Sequence, residues 1–159
     1  MESKKKVSLP FEAIAPMLAE CLEQGTDTVI PITGTSMLPL LRQGTDRVML
    51  TAADADSLKV GDLPLYRRKN GQYVLHRLVD ITPDGYVMQG DNQTFLEPGI
   101  QPDQILAVAK GIYRGERFYA CDDRRYRRYV RWWMRLRFMR RFLLKISAAK
   151  RRLFGRKPT

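Results

Sequence analysis

Short β-rich runs separated by turn residues occupy the middle of this 159-residue chain and constrain its fold more than any other feature. The dipeptide Asn70-Gly71 joins two of these runs and is a strong short-range indication of a β-hairpin. Pro64 is expected at a sheet edge or at the first position of a strand. The runs are residues 28–33, 47–51, 63–67, 73–80, 86–89 and 105–113. This pattern predicts a mainly β fold, built as a curled antiparallel sheet or partial barrel rather than from β–α–β units.

Helical periodicity replaces the β pattern at both ends of the chain. Apolar residues recur at helical spacing over residues 10–24, and Gly25 is a stop signal, so we expect a short amphipathic helix. From residue 124 the spacing is helical again, with apolar and arginine faces that exchange sides near residue 137. Either two helices meet there, or one helix presents opposite apolar faces to two neighbours. We therefore predict an N-terminal helix in 1–25, a β-rich domain in 26–119 and a basic amphipathic helical tail in 124–159.

The formal charge of +11 is concentrated in that tail. Residues 124–159 hold 15 of the 28 lysine and arginine residues and no acidic residue. The first 123 residues carry 13 basic and 17 acidic groups, so the remainder of the chain is mildly acidic. Any affinity for an anionic partner is therefore expected from the tail alone.

Cysteine and histidine are too few to indicate a metal site or a disulfide framework. Cys21 and Cys121 lie far apart without a motif around either, which is typical of reduced thiols in a cytosolic protein. We expect no metal and no cofactor, because one histidine and two cysteines do not supply a zinc site. No apolar signal-peptide core follows the N-terminus, and the uncharged run 28–41 is short and interrupted. These features predict a cytoplasmic location without a membrane-spanning segment.

Ser36 and His76 are the candidate catalytic residues. Ser36 lies on a turn framed by Gly34 and Pro39, and His76 is the only histidine in the chain. A serine hydroxyl needs an adjacent base to become a nucleophile at neutral pH, and burial keeps a histidine neutral for that task. Each residue also has an ordinary structural explanation, a turn serine and a half-buried core histidine. The residues alone leave these two interpretations evenly balanced.

The order of five short motifs favours the catalytic interpretation. Gly-Thr-Ser-Met-Leu-Pro at 34–39 is followed by Gly-Thr-Asp-Arg-Val at 44–48, Gly-Asp at 61–62, Val-Leu-His-Arg at 74–77 and Gly-Asp-Asn at 90–92. Across about residues 28–114 this series resembles the serine peptidase superfamily that contains type I signal peptidases and LexA-like self-cleaving repressors. The resemblance implies the curled β-fold of that superfamily. A histidine at position 76 places the resemblance with the Ser-His branch.

The resemblance also implies roles for individual residues. Ser36 would be the nucleophile, His76 the general base and Asp91 the group that orients the histidine. Histidine-type members often carry a further acidic residue after the Gly-Asp-Asn motif, where the nearest one here is Glu97. The residues expected at the oxyanion hole or in contact with substrate are Thr35, Met37 and Pro39.

The expected function is therefore that of a signal-peptidase-like serine endopeptidase. Signal peptidases carry a transmembrane helix just before the serine motif, where this chain has an amphipathic one. We accordingly expect a precursor or leader peptide as substrate, cleaved in the cytoplasm or peripherally at the inner face of the membrane. The alternative is a catalytically inactive peptide-binding domain or membrane-tethered adaptor.

Three functions remain open for the tail. Its arginine and apolar faces suit an anionic membrane surface, with contact expected through Trp132, Trp133, Phe138 and Phe142. It could also simply pack on the β-domain. Nucleic-acid binding, through arginines interleaved with aromatic residues, is the least favoured of the three.

Overall fold

Two antiparallel β-sheets and two helices form the protein in a computed structural model, which describes residues 11–137 and 139. The helices are α1 (Phe11–Glu23) and α2 (Arg124–Arg135). The strands are β1 (Thr28–Pro31), β2 (Asp46–Ala52), β3 (Pro64–Arg67), β4 (Tyr73–Leu75), β5 (Arg77–Thr82), β6 (Gly85–Gln89), β7 (Glu97–Ile100), β8 (Ile105–Arg114) and β9 (Arg117–Ala120). Single 3₁₀ turns lie at Ala55–Ser57 and Pro102–Gln104.

The larger sheet is curled into a half-barrel. Its strand order is β1-β2-β8-β3-β4, with β9 paired to β8, and the smaller sheet has the order β5-β6-β7. The register shifts between Met49 and Leu50 on β2, and between Leu65 and Tyr66 on β3. Such bulges bend a strand and increase its twist, which explains the curl. The predicted mainly β, curled antiparallel fold with a helix at each end is confirmed at this level.

Local sequence accounts for the ends of the first helix and for the hairpins. α1 ends at Glu23; Gly25, two residues later, adopts a φ of 76°, and the Thr26 amide donates to the Cys21 carbonyl. A glycine in this left-handed conformation is a common helix end. The hairpin at Asn70-Gly71 connects β3 to β4 as predicted, and Pro64 is the first residue of β3.

Apolar side chains form two clusters, one on each face of the curled sheet. The first joins Leu18 and Leu22 of α1, and Tyr126 and Val130 of α2, to one face of the larger sheet. The second lies between the two sheets and is built around Tyr66, Leu78, Met88 and Ile100. Both helices are therefore attached to the same core as the larger sheet.

The structure corrects the predicted strand at 73–80. The chain leaves the larger sheet after Leu75 and enters the smaller one at Arg77, so that His76 lies between the two. The His76 amide still donates to the Pro64 carbonyl of β3, and the Leu78 amide donates to the Asp62 carbonyl before that strand, while Arg77 and Leu78 already pair with β6. Strands β7 and β9 were not predicted.

Helix α2 packs closely over the segment that precedes β3. A Cβ atom added to Gly61 would lie 2.9 Å from Val130 Cγ1, and the φ of Gly61 is 106°. Only glycine fits this position without strain, since the backbone conformation and the nearby valine both exclude a side chain. Of the residues that follow the predicted exchange of faces near residue 137, the structure describes Arg137 and Met139, so the exchange itself lies outside the described residues.

We predict that Gly61→Ala lowers the free energy of unfolding by about 2–4 kcal/mol through overpacking and backbone strain. In a Val130→Ala background the same change should be less harmful by about 1 kcal/mol, because the steric part is relieved. Urea unfolding followed by circular dichroism measures all four members of the cycle. Equal losses in both backgrounds would show that α2 does not pack against Gly61.

Candidate active site

The loop that carries Ser36 is held by the Gly-Asp-Asn loop at residues 90–92. The Asn92 amide donates to the Ser36 carbonyl at 2.7 Å, and Asn92 Nδ2 donates to the Thr35 carbonyl at 3.2 Å. A Cβ atom on Gly90 would lie 2.8 Å from the Ser36 carbonyl oxygen, so the two loops can approach only with glycine there. The fifth motif thus positions the first through hydrogen bonds to its backbone carbonyls.

His76 is buried, with 1% of its surface exposed, and a carboxylate faces its ring. His76 Nδ1 lies 3.1 Å from Glu97 Oε1 and 3.2 Å from the Tyr66 hydroxyl. Because the Tyr66 hydroxyl donates to Glu97 Oε2 at 3.0 Å, we assign the imidazole proton to Nδ1, where it is donated to Glu97. Nε2 is then left as the proton acceptor.

Arg68 fixes the Glu97 carboxylate in place. Arg68 Nε donates to Glu97 Oε2 at 2.7 Å, and its Nη2 forms an ion pair with Oε1. Burial would raise the pKa of Glu97, but the hydrogen bonds from Arg68 and Tyr66 outweigh it and lower that pKa. Glu97 is therefore ionised at neutral pH beside the imidazole.

Burial lowers the pKa of His76 from 6.5 to about 4, and the nearby Glu97 charge opposes this shift. At neutral pH the ring is uncharged and able to accept a proton. The same shift makes folding depend on pH. Since the unfolded chain binds a proton below pH 6.5 more readily than the folded one, stability decreases as the pH falls from 6.5 toward 4.

Asp91 pairs with Arg77, whereas the resemblance implied that it would orient His76. Arg77 Nε and Nη2 donate to its two carboxylate oxygens at 2.8 and 2.7 Å, and Arg77 Nη1 donates to the Gly61 carbonyl at 2.8 Å. Both side chains are almost completely buried. Burial opposes the charge on Arg77, but Asp91 raises the pKa of this arginine beyond its ordinary value. The carboxylate hydrogen-bonded to His76 is that of Glu97, the alternative left open by the sequence.

Asp46, the aspartate of the second motif, holds neighbouring segments together through hydrogen bonds. Asp46 is buried and accepts hydrogen bonds from the Arg42 amide, from Arg42 Nε and Nη2, and from the Gly115 amide. Burial would raise its pKa, yet the Arg42 contacts lower it to about 2. Asp46 therefore ties β2 to the β8–β9 turn.

Ser36 and His76 line the same cavity, which has a volume of about 320 Å³. Its walls come mainly from the edge strands β1 and β4 and from the Ser36 loop. Within the described residues, no hydrogen bond joins the Ser36 hydroxyl to His76. Catalytic hydrogen bonds are often formed only when substrate is bound. The remaining lining residues are Phe11, Ile30, Pro31, Ile32, Thr33, Gly34, Met37, Leu65, Arg68, Gln72, Tyr73, Val74, Leu75 and Gln93.

Of the three residues expected at the oxyanion hole or in contact with substrate, one lines the cavity and two do not. Met37 is buried and lines the cavity, whereas Thr35 is exposed and its carbonyl accepts from the Leu38 amide. Pro39 is exposed on the outer side of the turn and is not part of the cavity wall. In the described part of the chain, histidine, cysteine and acidic residues nowhere gather in a group able to hold a metal.

Three residues that support the site were not predicted from the sequence; they are Tyr66, Arg68 and Arg77. Tyr66 and Arg68 lie on or just after β3, and both reach Glu97 across 29 to 31 positions of sequence. Arg77 follows His76 directly, and an arginine between apolar strand residues is a weak sign of a buried ion pair. Such a residue is rarely buried unless paired.

Comparisons with known proteins do not assign the chain to a family, since no family model and no curated protein matched it. No helix in residues 11–137 and 139 is both long and apolar enough to cross a bilayer.

The only histidine of the chain gives a single imidazole signal, so its titration can be followed directly. We predict a midpoint near pH 4 for His76 in the ¹H–¹³C spectrum of the folded protein. Glu97→Gln should move the midpoint lower, because the carboxylate favours the charged ring. A midpoint between about 6 and 7 would contradict the buried environment.

Asp91 and an exposed aspartate should differ sharply in their effect on stability. Asp91→Asn removes the charge opposite a fully buried Arg77 and should lower the free energy of unfolding by about 3–5 kcal/mol. Asp84→Asn, at an exposed turn, should change it by less than about 0.5 kcal/mol. Urea unfolding at pH 7 measures both, and similar small effects would mean that the Arg77–Asp91 pair contributes little.

Proposed function

We propose that the protein is a serine endopeptidase of the signal-peptidase-like type, with Ser36 as nucleophile and His76 as general base. The observation that carries the proposal is the position of the only histidine. It lines the same cavity as Ser36, and its Nδ1 faces the Glu97 carboxylate. This is the arrangement that nucleophilic catalysis needs, with a base oriented by a third group.

The proposed reaction starts with proton transfer from the Ser36 hydroxyl to His76 Nε2 as the oxygen attacks a peptide carbonyl. The imidazolium that forms lies 3.1 Å from a carboxylate oxygen of Glu97, which compensates for its burial. His76 then donates the proton to the leaving amine, and water releases the acyl group by the same route in reverse. The Ser36 backbone N–H would stabilise the oxyanion.

Glu97 takes the orienting role in this proposal, and Asp91 supports the loop. Glu97 fixes the imidazole tautomer through Nδ1, with Tyr66 and Arg68 fixing Glu97 in turn. Asp91 is paired with Arg77 and lies directly before Asn92, whose amide holds the Ser36 carbonyl. Loss of Glu97 should therefore affect the reaction, whereas loss of Asp91 should affect the stability of the site.

An extended peptide is the substrate that fits the cavity. Strands β1 and β4 end the path β1-β2-β8-β3-β4, and residues of both line the cavity. Unpaired strand edges accept a peptide as an additional strand, while side-chain pockets give selectivity. Because Ile30, Ile32 and Leu75 line these walls, we expect apolar side chains next to the bond that is cut. A precursor or leader peptide is the proposed source.

A fluorophosphonate probe, which reacts with activated serines, tests the proposal. We predict that Ser36→Ala abolishes labelling, and that His76→Ala and Glu97→Gln reduce its rate at least tenfold. Ser57→Ala, which removes an exposed serine hydroxyl outside the cavity, should be labelled like the wild type. Equal labelling of Ser36→Ala and wild type would contradict the assignment of the nucleophile.

The substrate can be found by comparing the peptides of cells that contain wild-type protein or Ser36→Ala. Cleavage products that depend on Ser36 would give the activity and the sequence around the scissile bond. If no product and no labelling depends on Ser36, the alternative of an inactive peptide-binding or adaptor domain is favoured. Circular dichroism of each variant verifies that it is folded.

A further inference from the structure

One face of α2 is made almost entirely of arginine. Six arginines of this 12-residue helix are exposed, and Trp132 lies among them with 59% of its surface exposed. We call these residues the arginine face; they are Arg124, Arg125, Arg127, Arg128, Arg131, Trp132 and Arg135. At 100° per residue Trp132 lies between Arg125 and Arg128 on the helix surface. Met139, one turn beyond the helix, is also exposed.

The opposite face of α2 belongs to the core. Tyr126 and Val130 are buried, and Tyr129 and Met134 pack against the same apolar cluster. Trp133 is half-buried and stacks on Tyr129 with a centroid distance of 5.9 Å. The helix is thus docked along its length, and its arginine face is turned outward. Of the tryptophans expected at a membrane, Trp132 alone is exposed, and Phe138 and Phe142 are outside the described residues.

Several charge interactions of the arginine face are unfavourable for the helix. Within residues 11–137 and 139, none of its six arginines forms an ion pair with an acidic side chain. Three pairs at i,i+4 spacing, beginning at Arg124, Arg127 and Arg131, repel one another. Arg124 and Arg125 also lie in the first turn, where the helix dipole disfavours positive charge. An anionic partner would relieve each of these unfavourable interactions.

We propose that the arginine face binds the surface of an anionic lipid bilayer, with α2 lying parallel to the membrane plane. Guanidinium groups would contact lipid phosphates, and Trp132 would sit at the level of the headgroups, where amphipathic rings are favoured. Because α2 is docked by its opposite face, the whole row of arginines can face one planar surface. Readout of duplex nucleic acid relies on side chains that hydrogen-bond to base edges, whereas an exposed tryptophan among cationic side chains suits a membrane interface.

Membrane binding by the arginine face is independent of the proposed peptidase activity, so it is tested by a binding measurement. Full-length protein is sedimented with vesicles of phosphatidylcholine containing about 30 mol% phosphatidylglycerol, and with vesicles of phosphatidylcholine alone, at about 150 mM salt. The protein should bind the anionic vesicles at least tenfold more tightly and be released as the salt concentration is raised. Ser36→Ala should bind as the wild type does.

Two triple variants that lose the same net charge distinguish binding through the arginine face from attraction by the overall charge of the protein. Arg124→Gln/Arg128→Gln/Arg131→Gln should weaken vesicle binding at least tenfold. Lys59→Gln/Lys69→Gln/Arg117→Gln, which removes three exposed cations elsewhere, should change it less than about threefold. Equal losses in the two variants would overturn the proposal, because they would show attraction by overall charge.

Tryptophan fluorescence gives a second readout. Vesicle binding should shift the emission of Trp132 to shorter wavelength, and Trp132→Phe should remove this shift while leaving the fold intact by circular dichroism. Binding of a 20-base-pair DNA duplex or a single strand of similar length is measured at the same salt concentration. Tight nucleic-acid binding without vesicle binding would overturn the proposal in favour of the nucleic-acid alternative.

Discussion

The buried ion pair between Arg77 and Asp91 connects three parts of the structure around the candidate site. Arg77 follows His76 directly, and Asp91 precedes Asn92, which holds the Ser36 carbonyl. The third guanidinium nitrogen binds the Gly61 carbonyl, at the point where α2 packs on the body. Neither charge could be buried alone, because desolvation of a single ion is too unfavourable. The pair therefore fixes His76, the Ser36 loop and α2 relative to one another.

The hydrogen-bonded group around Glu97 adds a second, more exposed layer to this arrangement. Glu97 joins Tyr66 and Arg68 of the larger sheet to His76, which lies where the chain passes to the smaller sheet. One acidic side chain thus spans both sheets. The candidate site is formed at their junction, and its geometry depends on the registers of both.

Much of the architecture could be predicted because it is encoded locally. Residues 10–24 have helical spacing, and Asn70-Gly71 requires a tight turn, so α1 and the β3–β4 hairpin follow from neighbouring residues. Strand β7 could not be predicted in this way, since Glu-Pro-Gly-Ile at Glu97–Ile100 contains two residues that are unfavourable in strands. It forms because β6 pairs with it and Ile100 is buried between the sheets. The break at His76 likewise depends on long-range contacts.

The candidate site likewise combines residues that local sequence indicates with contacts that only the folded chain brings together. Ser36 and His76 could be proposed from a turn motif and from the presence of a single histidine. The choice between Asp91 and Glu97 could not be made, because either carboxylate is close in sequence to the Gly-Asp-Asn motif. Only the folded chain shows that Arg77 pairs with one and that Arg68 and Tyr66 hold the other near the imidazole.

Helix α2 is the last described element of the chain and covers Arg77 of the buried ion pair. The side chain of Tyr126 lies beside Arg77, and burial raises the pKa of that tyrosine. All four of Ser36, His76, Asp91 and Glu97 leave the ribosome before this helix does. A chain that has not yet added α2 thus carries all four candidate site residues before Tyr126 can cover Arg77. Docking of the last described helix is therefore expected to complete the burial of the Arg77–Asp91 pair.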